Sequence, residues 1–572
     1  MDDEDNDYEL ERQKIIAENR ALLDSLGFEG GGAAALGIAK PKAIAKPASG
    51  NSKKRKSAPA KTEEGPRRRS GRIAGIDATA EVLQARADEE EKEREVLRVI
   101  NRKTRDQVMP LGEMLEDAKD AEKADLETFL KGVAATPAPR RFPNEDTTDK
   151  DAYAEPSQND HELARLKSQF KNMQLRASAK VTTERVFSML VHPEPSKCIV
   201  CVGDKQGTVG IWDALGPAAE STKAEEDDSA SDAEGGFEGR IWRVQAHARN
   251  SITSMKIGPV DGSKLYTASY DCSLRAISFS DCISRELFSM PDEDMLITHF
   301  DLAPDGNQAW IADKNGGISH ADFREGKLGG RRRWVVSGER AAKLGGLSIN
   351  PLMPHLIVTA GNDQHLRIWD TRHLSSLTPR TVDNLALPDP PADSKSDTAE
   401  HVNTQPTFSI PNDRIVSHME SNKGKGLLRA SWQHGKSCSA AYWDPWGRRV
   451  LTTSYDDKLR VWNLDPASLQ PDQPLDPKTF KPARSIPHNC QTGRWLTILR
   501  AQWSQNMDYA PHFTVGNMKR SLDVISGNGE KIVSLWTDAV TAVPAVTASH
   551  PNRVDHVVGG NTSGKIQLWS AQ

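Results

Sequence analysis

The sequence lacks the long apolar runs and the leader that would direct a chain to a membrane. No stretch of about 18 consecutive apolar residues occurs in its 572 residues. Its first residues, MDDEDND, are acidic, whereas a secretory signal begins with basic and then apolar residues. We therefore expect a soluble protein that is neither membrane-embedded nor secreted.

Sequence patterns of known catalytic sites are also absent. There is no glycine-rich phosphate loop, no H-E-x-x-H and no G-x-S-x-G, and the histidines are dispersed. The chain has only six cysteines, which suits a reducing compartment. Cys198 and Cys201 form a C-x-x-C pair, but no second pair or histidine follows at zinc spacing, so we interpret them as core residues. We expect no enzymatic activity, no metal and no cofactor.

Apolar residues make up only 37% of the chain, so a large part of it is expected to be disordered. We assign that part to residues 1–165, a charged region with short helices. Within it, residues 53–72 carry the basic runs KKRK and RRRSGR. Such runs are read by nuclear import receptors or lie along nucleic-acid phosphates. The alternative is a solvated tail without a reader; we favour a nuclear protein.

The rest of the chain repeats one short phrase seven times. Four copies are intact: GTVGIWD at 207–213, HLRIWDTR at 365–372, KLRVWNLD at 458–465 and KIQLWS at 565–570. Three are degenerate: SLRAISF at 273–279, GISHADFR at 317–324 and SLDVIS at 521–526. The shortest spacing, 44 residues from Ile277 to Ala321, matches the WD-repeat period of roughly 40–45 residues.

Each copy is preceded by two alternating strands with Pro, Gly, Asn or Asp at their turns, as half-buried strands require. We therefore predict an all-β fold, a seven-bladed WD-repeat β-propeller spanning 170–572. The longer spacings are explained by disordered insertions at 214–239 and 375–428. Because the chain ends just after the last copy, we expect residues near 171–178 to supply the missing outer strand and close the ring.

One rim of such a propeller is formed by loops that lead into the innermost strands and by turns between the second and third strands. Basic candidates crowd this rim: Arg249, Lys343, Lys436, Arg494, Lys519 and Arg520, together with Arg185, Lys205 and Lys314. Aromatic, imidazole and amide candidates lie among them: Trp432, His434, Gln491 and Trp495. Cations around a channel mouth attract phosphates, and aromatic side chains stack on bases. The alternative is an ordinary rim neutralised by Asp271, Asp363, Asp456 and Asp457.

Three long segments of the propeller, 431–463, 486–503 and 513–526, resemble the fungal DNA damage-binding WD-repeat family, which is related to the small subunit of the UV-damaged-DNA-binding heterodimer. The sequence RRRSGRIAG at 67–75 is similar to the basic N-terminal signature of that family. The resemblance implies binding to single- and double-stranded DNA, preference for UV-damaged duplex, and a nuclear role in DNA metabolism.

In the related damage-recognition subunit, an aromatic hairpin enters the duplex just before a strand that LTILRAQW at 496–503 resembles. The resemblance therefore implies that Gly493, Arg494 and Trp495 occupy the position of the wedge. This chain has Gly-Arg-Trp where the relative has Phe-Gln-His. Trp offers a large stacking face, and Arg can pair with a phosphate or stack on a base.

The opposite rim carries a different pattern. Trp369, Asp370 and Arg372 form a W-D-x-R box, and Asp322 and Arg324 repeat D-x-R one blade earlier. This pattern resembles the box by which propeller substrate receptors dock on the adaptor of a cullin-RING ubiquitin ligase. The alternative is that these residues only stabilise their blades. Two hypotheses therefore remain, a DNA-binding propeller and a ligase substrate receptor or scaffold for chromatin proteins, and a propeller hydrolase is disfavoured.

Overall fold

The computed structural model describes residues 108–115, 118–143, 156–217, 238–325, 332–338, 341–377 and 409–571. Within these ranges the strands form seven sheets, and the innermost strand of each sheet packs against the innermost strands of the next and the preceding sheet. The seventh packs against the first, so the sheets are the blades of a closed ring. The predicted seven-bladed propeller is confirmed.

The strands of the blades run outward from the central channel in chain order. Blades one to three comprise Val186–Val191, Ile199–Asp204, Thr208–Asp213 and Arg240–Gln245; Ile252–Ile257, Lys264–Ser269, Ser273–Ser278 and Ile283–Ser289; and Ile297–Leu302, Gln308–Asp313, Gly317–Asp322 and Arg332–Val335. Blades four and five comprise Leu344–Ile349, Leu356–Gly361, His365–Asp370 and Leu428–Gln433; and Cys438–Trp443, Arg449–Ser454, Lys458–Asn463 and Arg484–Pro487. Blade six comprises Gln502–Trp503, His512–Asn517, Ser521–Ser526 and Lys531–Leu535.

Blade seven joins the first and the last strands of the ring. Its inner strands are Val546–Ser549, Val557–Gly560 and Lys565–Ser570, and its outermost strand is Gln174–Lys180. The pairing is antiparallel, from Gln174 opposite Ser570 to Lys180 opposite Lys565. The expected closure by a strand near 171–178 is confirmed, and it leaves no open edge between the first and last blades.

The buried position of the repeated Trp explains why this residue recurs in the intact copies. Trp212, Trp369 and Trp462 are almost fully buried between neighbouring blades. The indole of Trp369 also donates a hydrogen bond to Thr359 Oγ1 on the second strand at 2.9 Å, which satisfies its one polar atom. In the degenerate copies, buried Ile277, Ala321 and Ile525 occupy the corresponding anchor positions.

Part of the region 1–165, which was expected to be disordered, is folded and packs against the propeller. Met109–Pro110 pair with Ile283–Ser289 as a fifth strand of blade two, and the helix Asp120–Ala134 lies beside them. Its buried stripe consists of Leu126, Leu130 and Val133, at helical spacing. This stripe is narrow, so the highly charged composition of the segment concealed it. A second helix before the ring is Pro156–Gln169.

Part of the second insertion is folded, contrary to the expectation for 375–428. Ser409–Ile410 run parallel to Arg332–Val335, and the helix Asn412–Glu420 buries Ile415. Two short helices, Thr371–Ser376 and Pro466–Leu469, and two 3-10 turns, Leu111–Met114 and Asn422–Gly424, complete the described elements. No described helix is long and apolar enough to cross a membrane. The basic cluster 53–72 and most of both predicted disordered insertions lie outside the described residues.

Candidate nucleic-acid interface

The loops that lead into the innermost strands and the turns between second and third strands form one rim, which we call the cationic rim. Seven basic side chains on it are exposed: Lys205, Arg249, Lys314, Lys436, Arg494, Lys519 and Arg520. Among the described residues, none of these seven is paired with a carboxylate. An exposed cation without an internal partner is available to an external phosphate.

The carboxylates that might have neutralised this rim are occupied within their own blades. Asp363 pairs with Arg367 at 2.5 Å and Asp456 pairs with Arg460 at 2.7 Å, each four residues further along the third strand. Burial opposes ionisation of Asp456, but the Arg460 guanidinium still holds the pKa of that carboxyl below its usual value. These two pairs cancel their own charge. Asp457 has no such ion pair, and its carboxylate acts electrostatically on Lys436, so it partly offsets the charge of that one rim cation.

The charge of the rim is not uniform around the ring. Asp292, Glu293 and Asp294 follow one another in the loop that leads into blade three, where Glu293 and Asp294 are exposed. This acidic sector repels a polyanion. The blade-six side of the rim, with Arg494, Lys519 and Arg520, is therefore the electrostatically favoured place for a phosphate backbone.

Blade six presents an unusual turn at its inner end. Gly493 has φ of 60°, a conformation that glycine adopts without strain, and the turn projects Arg494 and Trp495 outward. Trp495 is 78% exposed, the largest fraction among the exposed large apolar side chains of the described residues. The Arg494 guanidinium carbon lies 5.4 Å from the centroid of the Trp495 ring, so the two side chains present one joint surface.

Hydrogen bonds from neighbouring blades hold the backbone of this turn and leave the side chains of Arg494 and Trp495 free. Arg185 of blade one donates from Nη1 to the Trp495 carbonyl at 2.8 Å, while its guanidinium lies over Phe187. The Thr497 hydroxyl donates to the Val186 carbonyl at 2.5 Å. On the other side, the Cys490 amide donates to Asp457 Oδ1 at 2.9 Å. Because the backbone of the turn is already held, it loses little conformational entropy when Trp495 binds a ligand.

The expected innermost strand at 496–503 is much shorter than its sequence suggested. Only Gln502–Trp503 pair with the second strand of blade six. The preceding residues reach towards other blades, where Arg500 Nη1 donates to the Thr253 carbonyl of blade two at 3.4 Å. The Ala501 amide donates to Thr453 Oγ1 of blade five at 3.0 Å. Hydrogen bonds to neighbouring blades, several of them from or to side chains, therefore replace the regular ladder here.

Two of the candidates from the sequence have side chains that are less exposed than those of the rim cations. Trp432 lies half-buried on the outermost strand of blade four, 6.2 Å from the Trp462 ring in an edge-on contact. His434 is buried, and its Nδ1 accepts a hydrogen bond from Arg460 at 3.0 Å. Burial and the Arg460 charge lower the pKa of His434 to about 4. Both residues pack between blades four and five. Because His434 is buried, its assignment to the interface was wrong, whereas the assignment of the half-buried Trp432 stays a prediction.

Two further candidates reach the rim but are already engaged. Lys343 is half-buried and donates to the Tyr270 hydroxyl at 2.9 Å. Gln491 is exposed, and its amide donates to the Tyr455 carbonyl at 2.7 Å and to Asp457 at 3.0 Å. Both help to shape the rim, with less freedom to reach a ligand than the exposed cations have.

Sequence reasoning missed Trp536. This indole is 56% exposed and directly follows the outermost strand Lys531–Leu535, in the loop that leads into blade seven. The available signal was a Trp at a strand end outside the repeated anchor position. Blade six thus carries three cations and two exposed indoles on the cationic rim, and we call this set the blade-six cluster: Arg494, Trp495, Lys519, Arg520 and Trp536.

The opposite rim contains both D-x-R boxes in the same geometry. Arg372 donates from Nε and Nη2 to the two carboxylate oxygens of Asp370 at 3.0 and 2.6 Å. Arg324 does the same to Asp322 at 2.9 and 2.5 Å. Both Arg side chains are more than half exposed, whereas Trp369 is buried and unavailable to a partner.

Asp370 also lies near His373 and Asp472, with potential ligand atoms of all three within 4.8 Å of one another. Arg372 and Arg429 both contact the same carboxylate. Two neighbouring guanidinium groups oppose a metal cation, so we assign these residues to ion pairing.

Comparisons with known proteins agree with this architecture. The family model described as "WD domain, G-beta repeat" matches residues 427–463. The chain is 56% identical over 591 residues to the DNA damage-binding protein CMR1 of Cryptococcus neoformans var. neoformans serotype D, covering 100% of this chain and 99% of that protein. It is 32% identical over 665 residues to the protein of the same name from Mycosarcoma maydis, covering 99% of each. The protein of that name from Aspergillus clavatus is 32% identical over 587 residues, with coverage of 99% and 98%.

Proposed function

The chain belongs to the fungal DNA damage-binding WD-repeat family, and from this premise we propose that it binds single- and double-stranded DNA through its cationic rim, with preference for UV-damaged duplex. We further propose that it acts in the nucleus, in DNA metabolism or the damage response. The names of its relatives and the basic cluster at 53–72 support this assignment.

The proposed interface divides the work between charge and stacking. Exposed Lys436, Lys519 and Arg520 neutralise backbone phosphates, which supplies affinity without sequence preference. Trp495 then stacks on a base or wedges between two bases, with Arg494 beside it to meet a phosphate. No base-edge reading is required for either contact.

Preference for damage follows from the cost of deforming DNA. Wedging a side chain into an intact step costs about a few kcal/mol of stacking energy. A lesion has already lost part of that stacking, so the same contact costs less there. Each 1.4 kcal/mol that the lesion saves gives about a tenfold preference. The single observation that carries this proposal is the exposed Trp495, held from behind by Arg185 through its backbone.

The test is direct binding of the full chain to labelled oligonucleotides, measured by fluorescence anisotropy. The same sequence is offered as single strand, intact duplex and UV-irradiated duplex, at one fixed salt concentration. We expect binding to all three, tightest for the irradiated duplex. A chain that binds none of them is not a DNA-binding protein, and equal affinity for both duplexes would remove the damage preference while leaving DNA binding in place.

A second candidate function is supported by the two matching D-x-R boxes. We propose that Arg372 and Arg324 dock on the adaptor of a cullin-RING ubiquitin ligase, or on a chromatin protein, while the cationic rim holds DNA. The two exposed guanidinium groups have the same bidentate geometry on adjacent blades. Changing both to Ala should abolish capture by the purified adaptor and leave DNA affinity unchanged. Undiminished capture by the double variant would exclude this docking mode.

A further inference from the structure

The central channel contains a cavity of about 220 Å³. Its wall is built from the innermost strands together with residues 139–141, which come from the segment before the ring. That segment is tied to blade two, where the Arg140 amide donates to the Pro259 carbonyl at 2.9 Å. The side chains proposed above to contact DNA lie on the cationic rim, and none of them lines this cavity.

The cavity wall carries an excess of positive charge. Four cationic side chains line it, Arg140, Arg141, Lys256 and Arg500, but only one carboxylate, that of Asp301. Lys256 pairs with Asp301 at 3.2 Å. Arg141 forms two hydrogen bonds of 2.9 Å to the carboxylate of Asp508. These two pairs cancel, so the wall keeps a net positive charge from Arg140 and Arg500, although the carboxylate of Asp301 also acts on Arg140.

The same two guanidinium groups have unused donors. The Nε atoms of Arg140 and Arg500 are buried and, among the residues that the structure describes, have no hydrogen-bond partner. Arg140 otherwise lies over the Phe142 ring at 5.1 Å, and Arg500 donates from Nη1 to the Thr253 carbonyl. Both side chains are half-buried, and a buried hydrogen-bond donor that lacks a partner is costly.

The titratable groups facing the cavity agree with this charge balance. Burial lowers the pKa of Arg140, and the nearby charge of Asp301 offsets only part of that effect. His299 is buried beside Lys256 and Arg500, and burial together with these two charges holds its pKa well below the usual value. His299 is therefore neutral and adds no charge, while its Nε2 contacts the Tyr442 hydroxyl at 3.2 Å.

We propose that this cavity binds a compact, multiply charged oxyanion of the phosphate class, held by Arg140 and Arg500 with Lys256 beside them. Guanidinium groups match the oxygens of phosphate in a two-pronged arrangement. The cavity of about 220 Å³ has room for a group of the size of pyrophosphate. The site is separate from the proposed DNA interface, and neither requires the other.

The test uses the full-length chain and inorganic pyrophosphate as the probe, in equilibrium dialysis at constant ionic strength. We expect saturable binding of one pyrophosphate per chain. Arg140→Gln and Arg500→Gln should each weaken it by at least about tenfold, since each removes a charged hydrogen-bond donor. Lys519→Gln on the cationic rim is the matched control and should bind as the unchanged chain does.

Two further measurements keep the outcome unambiguous. Pyrophosphate should raise the melting temperature of the unchanged chain in a concentration-dependent manner and have much less effect on Arg140→Gln, whose own fold is checked by circular dichroism. Saturating duplex DNA should leave pyrophosphate bound. Absence of saturable binding overturns the proposal. Displacement by duplex, or loss of binding in Lys519→Gln, overturns it equally, because either places the anion on the rim. Duplex affinity measured in parallel tests the proposed function independently.

Discussion

Removal of two neighbouring cations from the blade-six cluster should change the salt dependence of DNA binding by a calculable amount. Lys519 and Arg520 lie in the turn between Asn517 and Ser521, and both are exposed. Each phosphate contact contributes about 0.9 to the slope of log affinity against log salt for duplex DNA. Changing both residues to Ala should therefore reduce the slope by about 1.8.

This change in slope corresponds to a large effect on affinity. Between about 50 and 200 mM salt, a slope smaller by about 1.8 makes the loss of affinity about tenfold less. Anisotropy titrations of a labelled duplex at five or six salt concentrations measure the slope directly. Because both sites are exposed, the free energy of unfolding should change by no more than about 0.5 kcal/mol, so an effect on folding cannot imitate the result.

A matched control is available on the opposite rim. Lys478 and Lys481 are also two exposed cations, in the connection between the third and outermost strands of blade five. Changing them to Ala removes the same charge from the chain and should leave the slope unaltered. If the two double variants show equal slopes, the cationic rim does not hold the phosphates, and net charge alone governs binding.

Three further outcomes follow from the described contacts. Arg185→Lys keeps the charge but loses the flat guanidinium that lies over Phe187 and holds the Trp495 carbonyl. The preference for irradiated over intact duplex should therefore fall, while the salt slope stays the same. An unchanged preference would show that Arg185 does not position the turn. His512 is buried with Nδ1 bonded to the Ala510 carbonyl, and burial lowers its pKa to about 4. The unfolded chain therefore binds this proton first, and stability should be lost as pH falls from about 6.5 to 4 by up to about 1.4 kcal/mol per unit, a slope that His512→Gln should reduce; an equal slope in the variant would refute the assignment. All six cysteines are buried and unpaired with one another, and burial raises the pKa of Cys201 to about 12; thiol reagents should therefore react only after denaturation, and rapid labelling of the native chain would contradict this burial.

The sequence sufficed for the fold because WD repeats carry their signal locally. The period near 44 residues and the Trp anchors identified the blades, and the missing outer strand pointed to closure by residues near 171–178. The helix Asp120–Ala134 was not assigned to the propeller because its apolar stripe is one residue wide per turn. The helix docks on a face that blades one and two form together, and the sequence of the helix alone does not reveal that face.

The sequence predicted which rim carries the candidate interface, but not which side chains on that rim face solvent. Loop position placed Arg494, Trp495 and Lys519 on the predicted rim, where they are exposed. Position did not reveal the direction of a side chain, so His434 was assigned to the interface although its ring turns inward to Arg460. Trp536 was overlooked for the converse reason, because a Trp at a strand end usually packs inside and here it does not.

The central claim is that Trp495 gives a charged rim its preference for damaged duplex, and a competition experiment tests it most directly. Irradiated and intact duplexes of one sequence compete for the unchanged chain, for Trp495→Ala and for Trp495→Phe. Loss of base stacking is worth about 1–3 kcal/mol, so Trp495→Ala should bind irradiated duplex about 5- to 150-fold more weakly and should lose most of its preference, with Trp495→Phe in between. If Trp495→Ala leaves both affinities and their ratio unchanged, the exposed indole has no part in recognition and the account is contradicted.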